Sequence, residues 1–219
     1  MKKLLILRPE PGLSDSCERA QAIGLDVVRC PLFEVEPVQW DAPDPARYDA
    51  LLLTSANAIR HGGGQLATLR SLPVHAVGEA TASGARDAGF DVTTVGERDI
   101  VELLARIPPE ARLLHLAGEN YRDVQDQRIE RRIVYRSKEI AEPELPPLAG
   151  LVVAVHSPRA GRRLSELAGA RSETAIAAIS QAAAQACGGG WERVEASDAP
   201  NDTSLLALAA MLCHTSPLE

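Results

Sequence analysis

The sequence has few aromatic residues and a shortage of positive charge, and both argue against one class of partner. Phenylalanine, tryptophan and tyrosine make up 3% of the 219 residues, and the formal net charge is −7. Proteins that bind nucleic acids usually need a basic surface, and many stack bases on aromatic side chains. We therefore expect no nucleic acid partner. An anionic small molecule held in a local pocket is still compatible with this charge.

Cysteine is also scarce, and no cysteine spacing is typical of a metal site or a disulfide framework. We interpret the thiols as reduced and mostly buried, which is typical of a reducing compartment. The histidines at 61, 75, 115 and 214 share no metal-ligand spacing either, so no metal is expected. The four cysteines are Cys17, Cys30, Cys187 and Cys213.

Long hydrophobic runs are absent, since no segment approaches the roughly 20 apolar residues of a membrane span. The N-terminal "MKKLLILRPEP" has an apolar run about half as long as a signal-peptide core, and Arg-Pro follows at once. This segment predicts a first strand. The expectation is a soluble, cytoplasmic protein with no membrane partner.

What the sequence does contain is a regular alternation of short apolar runs with helical patterns, which predicts an α/β fold with parallel sheets. Ten to eleven strands are expected, or about five for each of two domains. The predicted strands are "KLLILR", "LDVVRC", "YDALLLT", "VHAVG", "FDVTTVG", "ARLLHLAG", "RRIVYR", "LVVAVHS", "TAIAAIS" and "WERVEA".

A repeat with an offset of 102 residues relates the two predicted domains. Ser55 in "LLLTSANAIR" corresponds to Ser157 in "VAVHSPRAG", and the same offset joins Val77 to Ile179 and Leu103 to Leu205. In turn, "LLHLAG" resembles the N-terminal "LLILRP". If the strands of one unit are numbered 1 to 5, the chain runs 1-2, then 3′-4′-5′-1′-2′ of the copy, then 3-4-5.

This order predicts that one domain is inserted into the other. Residues 1–34 and 139–219 should form a discontinuous domain 1, and residues 40–133 should form domain 2. The joining segments, 35–39 and 134–138, alternate apolar with polar residues and are expected to pair as a two-stranded antiparallel connector. In open parallel sheets, ligands bind outside the carboxyl ends of the strands. The alternative is a simple duplication without a shared site.

The segments "LLLTSANAIR", "AVGEATASGARDAGF", "LLHLAG", "IVYR", "VAVHSPRAG" and "AAISQAAAQACGGGW" together resemble the uroporphyrinogen-III synthase family. The resemblance covers nearly the whole chain and lies in the order and spacing of these motifs. It implies two flavodoxin-like domains joined by a β-connector, with the active site between them, and a monomeric enzyme without a cofactor. It also implies the reaction, in which hydroxymethylbilane loses water and closes to uroporphyrinogen III with its last pyrrole ring inverted.

The substrate is a polycarboxylate, and the chain places small or hydroxyl residues where helices should begin after strands. Helix N-termini bind anions without a positive net charge. The alternative is that each serine or threonine is a helix cap and each glycine a turn residue. Arg8, Arg122 and Arg159 follow similar strands and would add charge-assisted contacts. The substrate-binding candidates besides Arg8 and Arg159 are Thr54, Ser55, Asn57, Gly78, Thr81, Gly118, Ser157 and Ser180.

Tyr135 in "IVYR" matches the connector tyrosine of the family, and it is the candidate general acid for loss of the hydroxyl group. The alternative is an aromatic ring that packs on the connector. His156 stands where the family more often has an apolar or aromatic residue, and we interpret it as a hydrogen-bonded core histidine. Two departures from the family stand out: Ala182 and Ala183 replace hydroxyl side chains, and the segment 119–132 is short.

Two other functions fit the same predicted fold. One is a two-domain α/β protein that binds a small anion without catalysis, like a solute receptor. The other is an enzyme that uses a phosphate or a nucleotide, but the chain has no GxxxxGK[ST] loop. A ligand that survives unchanged would favour the binding protein.

Overall fold

In a computed structural model, which describes residues 1–121 and 124–214, the chain divides into two compact units. Unit 1 comprises Met1–Glu34 and Glu139–Glu219, and unit 2 comprises Val35–Lys138. Each unit is a mixed α/β structure around one mainly parallel sheet. The predicted fold class, with one flavodoxin-like unit inserted into the other, is confirmed.

Unit 1 has a five-stranded sheet in the order β2-β1-β9-β10-β11, and every neighbouring pair is parallel. In the numbering of a single unit this order is 2-1-3-4-5, the flavodoxin arrangement. The central strands are almost entirely apolar because helices cover both faces of the sheet. The strands are β1 (Lys3–Ile6), β2 (Val27–Arg29), β9 (Leu151–Val155), β10 (Ala175–Ala178) and β11 (Arg193–Ala196).

Unit 2 repeats this arrangement as β8-β7-β4-β5-β6, again with parallel neighbours, and adds β3 beside β8. The equivalents of strands 1 and 2 come last in its sequence, as the repeat predicts. Its strands are β3 (Phe33–Pro37), β4 (Ala50–Leu53), β5 (Val74–Val77), β6 (Val92–Gly96), β7 (Leu113–Gly118) and β8 (Ile129–Glu139).

Helices pack on both faces of each sheet, and alternate residues of a strand enter opposite cores. In β1, Leu5 belongs to one hydrophobic cluster and Leu4 and Ile6 to the other, as the period of two requires. Short 3₁₀ helices span Pro45–Arg47 and Gly63–Leu69. The α-helices are α1 (Gly12–Ala22), α2 (Asn57–His61), α3 (Glu79–Asp87), α4 (Ile100–Leu104), α5 (Pro158–Leu167), α6 (Gln181–Ala186) and α7 (Asp202–His214).

The segments predicted as a connector are the edge strand β3 and the end of the long strand β8. The backbone N–H of Val38 donates to the carbonyl of Val134 at 3.0 Å, and the Arg136 side chain pairs with Glu36. Along this pair, residue numbers rise in one segment as they fall in the other, so the two segments are antiparallel. One continuous strand therefore serves both as the strand beside β7 and as the returning half of the connector.

The structure also shows the state of the cysteines, the segment between β7 and β8, and the lengths of the apolar helices. All four cysteines are buried and free. In residues 119–121 and 124–128, which join β7 to β8, there is no helix. Within the described residues, no helix combines the length and the apolarity that crossing a bilayer requires.

Candidate active site

At the carboxyl edge of the unit 2 sheet, the predicted residues after β4 form a small polar cluster. The Thr54 hydroxyl lies 3.0 Å from Nε2 of His115, a buried residue of β7. The Ser55 hydroxyl accepts a hydrogen bond from the backbone N–H of Asn57, and the Asn57 side chain accepts one from Arg60. Ala56 is the N-cap of α2, and Ser55 forms a local turn just before it. Accepting this bond uses only a lone pair of the hydroxyl, so its O–H proton is still available to a ligand.

The turn after β5 is built on Gly78, whose backbone N–H donates to the carbonyl of Gly96 at 2.8 Å. Gly78 has a φ of +79°, in the region that favours glycine, and no atom lies within 4 Å of where a Cβ would be. Its carbonyl accepts hydrogen bonds from the N–H groups of Thr81 and Ala82. Thr81 is only 5% exposed, so of these two residues Gly78 is the more accessible to a ligand.

Gly118, the last residue of β7, lies beside Tyr135 within the long strand β8. The two residues are register partners, and a Cβ at Gly118 would lie 2.5 Å from two ring carbons of Tyr135. The Tyr135 ring centroid is 6.2 Å from that of His61, at the end of α2. Among residues 1–121 and 124–214, nothing hydrogen-bonds to the phenol group. Glycine at 118 is therefore what allows the tyrosine ring to lie over this strand end.

The carboxyl edge of unit 1 repeats the serine arrangement of unit 2. The Ser157 hydroxyl accepts from the Ala160 N–H at 3.1 Å, and the Ser180 hydroxyl accepts from the Ala183 N–H at 3.3 Å. These serines cap α5 and α6, which follow β9 and β10. Arg159 contacts Glu139 at 3.5 Å, and its guanidinium lies 4.4 Å from the centre of the Phe33 ring.

Arg8 does not stand alone, because the partly buried carboxylate of Asp202 lies beside it. Asp202, at the start of α7, accepts hydrogen bonds from Ser16, Arg19 and His156 at 2.7–3.0 Å, and Arg8 lies 3.4 Å away. This group joins α1, α7 and the ends of β1 and β9 at one edge of the sheet. We call these five residues the Asp202 network.

Ionisation within the Asp202 network follows from burial and hydrogen bonding. Burial by itself raises the pKa of Asp202, but hydrogen bonds from His156, Ser16 and Arg19 outweigh it and hold the pKa well below its ordinary value. Burial lowers the pKa of His156 despite its bond to the carboxylate. The core interpretation of His156 is consistent with this geometry, since its side chain is only 8% exposed.

Polar side chains lie at the carboxyl edges of both sheets, as the sequence repeat predicts. A comparison with protein families then identifies the family. The model described as HEM4, uroporphyrinogen-III synthase HemD, matches residues 15–207. The chain belongs to the uroporphyrinogen-III synthase family.

Solved structures of uroporphyrinogen-III synthases share the fold. The enzyme of Helicobacter pylori superposes with a TM-score of 0.71 at 17% identity, covering 97% of this chain and 100% of that one. A mutant synthase of Thermus thermophilus gives 0.54 at 14% identity, covering 96% and 98%. No curated protein matches the chain.

Within this synthase fold, most of the predicted residues fall at the carboxyl edges of the two sheets. Arg122 lies outside the described residues. Sequence reasoning missed Asp202, which holds Arg8, and it set His115 aside because only metal ligation was considered. The signal for Asp202 was an acidic residue at the start of an apolar helix, in "NDTSLLALAA". That signal is weak, because such residues are common helix starts.

Proposed function

We propose that the chain converts hydroxymethylbilane to uroporphyrinogen III, with loss of water and inversion of the last pyrrole ring. The observation that supports this function most directly is the family match, which spans residues 15–207 of 219. The activity is that of a cyclising lyase in tetrapyrrole biosynthesis. Its test is whether the purified chain makes the inverted isomer from hydroxymethylbilane. The binding-protein alternative predicts that the ligand is returned unchanged.

We infer that the substrate carboxylates are held mainly by hydroxyl and backbone donors. Ser55, Ser157 and Ser180 each accept a hydrogen bond from a nearby backbone N–H and keep an O–H proton to donate. Asn57, Gly78, Thr81 and Gly118 would contribute from neighbouring strand ends. A protein of net charge −7 can bind a polyanion in this way because aligned neutral donors need no net positive charge.

The two arginines would add charge to this set. Arg8 is oriented by Asp202, and Arg159 stacks on Phe33. A guanidinium presents five N–H donors in a planar fork, so it can contact a protein group and a substrate carboxylate at the same time. Asp202 thus acts as a positioning residue for Arg8 in this proposal.

Tyr135 is proposed as the general acid that protonates the departing hydroxyl group. A phenol carries a proton that it can donate, and this one has no hydrogen-bond partner in the described part of the chain. Loss of water leaves an azafulvene cation, which must be shielded while the far ring attacks through its substituted carbon. A spiro intermediate is inferred from the family. Most of the selectivity would come from holding the flexible chain in one arrangement.

The same proposal covers the domain boundaries, the oligomeric state and the compartment of the protein. The two compact units are taken as separate folding domains with boundaries near residues 34 and 139, and the division of contacts supports this. The protein would act as a monomer without cofactor, nucleic acid or membrane. Four buried thiols without a disulfide suit a reducing cytoplasm.

Replacing Ser55 or Ser157 by alanine should weaken product binding by about 0.5–1.5 kcal/mol for each residue, the net value of one hydrogen bond. The reason is that each hydroxyl would donate to a substrate carboxylate. Titration of uroporphyrinogen III into each variant measures the change. The double variant should still fold, as circular dichroism would show. If both single variants bind normally, the serines are caps only.

A further inference from the structure

A pocket of about 200 Å³ lies within unit 2, beside the carboxyl ends of its strands. Its lining includes Thr54 after β4, Val77 at the end of β5, Arg98 after β6 and His115 of β7. Of these, only Thr54 was predicted to bind substrate. The pocket thus brings an arginine and a histidine to the edge where ligands of parallel sheets bind.

His115 is a polar residue of β7 whose side chain is almost completely buried. It is 1% exposed, and its neighbours in register are Leu52 of β4 and Arg131 of β8. Burial, and secondarily the charge of Arg131, lowers the pKa of His115 to about 4. The imidazole is therefore neutral at neutral pH, with one N–H donor and one acceptor nitrogen.

The surroundings of His115 decide which nitrogen carries the proton. Nε2 lies 3.0 Å from the Thr54 hydroxyl, while Nδ1 is buried without a partner in the described residues. An orphaned N–H in a protein interior is rarer than an orphaned acceptor. We therefore assign the proton to Nε2, which donates to Thr54. The Thr54 hydroxyl then keeps its own proton for a third group.

Arg98 supplies the positive charge at this pocket. Its side chain is exposed, and it makes no hydrogen bond or ion pair to any residue in 1–121 or 124–214. Asp99 lines the same pocket, and its carboxylate accepts hydrogen bonds from the backbone N–H groups of Val101 and Glu102 at the start of α4. In a chain of net charge −7, an arginine left available at a pocket is well suited to an anionic ligand.

We propose that this pocket is a carboxylate subsite of the active site, in which Arg98 and the Thr54 hydroxyl bind one acidic side arm of the tetrapyrrole. His115 is the positioning residue, because it fixes the direction in which Thr54 donates. A guanidinium and a hydroxyl together satisfy the two oxygens of one carboxylate. This inference rests on the proposed function, since the ligand is its substrate or product.

Replacing Arg98 by glutamine should raise the Kd for uroporphyrinogen III about tenfold, the effect of losing one charge-assisted contact. The KM for hydroxymethylbilane should rise similarly, with kcat within about twofold, since the contact is made before and during the reaction. Arg70→Gln is the matched control. Arg70 is an exposed arginine of the same unit, but it precedes β5 and so lies at the opposite edge of the sheet. Equal Kd values for the two variants would overturn the subsite.

The role of His115 has a readout that does not depend on turnover. In protein labelled with ¹⁵N at histidine, the His115 signals should show the proton on Nε2 in both free and product-bound forms. Thr54→Val should raise the Kd as Arg98→Gln does. A proton on Nδ1, or normal binding by Thr54→Val, would contradict the assignment.

The experiments distinguish an error in the subsite proposal from an error in the proposed function. If wild-type protein makes the inverted product and Arg98→Gln binds it normally, the subsite is wrong and the function stands. If wild-type protein neither binds nor makes the product, both are wrong.

Discussion

Tyr135→Phe should lower the rate of hydroxymethylbilane consumption about 10²-fold, the contribution of a fully engaged general acid. The loss is smaller if a bound water donates the proton in place of the phenol. The product should stay mainly inverted, because the substitution leaves the ring over Gly118 and keeps the packing that holds the substrate. The removed group is the one hydroxyl that can protonate the leaving group in this proposal.

Single-turnover consumption is the measurement, with the ratio of inverted to uninverted product determined by chromatography. Tyr48→Phe is the matched control. Tyr48 is a buried tyrosine of the same unit that precedes β4, away from the carboxyl edge. An unchanged rate for Tyr135→Phe would reduce Tyr135 to a packing residue. Exclusively uninverted product would show that the phenol orients the substrate instead of protonating it.

Asp202→Asn should lower the free energy of unfolding by about 2 kcal/mol, within the range for hydrogen bonds to a charged group. The carboxylate is 14% exposed and accepts from Ser16, Arg19 and His156. An amide cannot neutralise the arginines, and it offers one acceptor oxygen where the carboxylate offers two. Denaturant unfolding at pH 7 measures the loss.

The contribution of Asp202 to the free energy of unfolding should depend on pH in a definite direction. The pKa of Asp202 is held below the ordinary value of 3.8, so its contribution is complete above pH 3.8 and is lost as the pH falls through the lower, folded-state pKa. The difference between wild type and Asp202→Asn should therefore shrink only below pH 3.8. Asp26→Asn, which breaks an exposed pair with Lys3, should change stability by less than about 1 kcal/mol. Equal stability of Asp202→Asn and wild type would contradict a structural role for the network.

The strand order was predictable because a repeated sequence folds into a repeated unit. The offset between Ser55 and Ser157 places both residues after equivalent strands, β4 and β9, and the order of the copies follows from it. The buried strands were recognisable from apolar runs, since strands covered on both faces need apolar side chains throughout. The serine caps were predictable for the same local reason, as hydroxyl residues favour helix starts.

Long-range side-chain contacts were not predictable from these patterns. Asp202 contacts Ser16 across 186 residues, and the pairing of Thr54 with His115 crosses 61 residues. Periodicity shows which face of a strand is buried, but not which polar group on that face meets another.

The isomer produced from hydroxymethylbilane tests the central claim most directly. Hydroxymethylbilane closes by itself, but without inverting the last ring. The purified wild-type chain should consume it faster than buffer alone and give mainly uroporphyrinogen III, as separated by chromatography after oxidation. Consumption at the spontaneous rate, with only the uninverted isomer formed, would contradict the account.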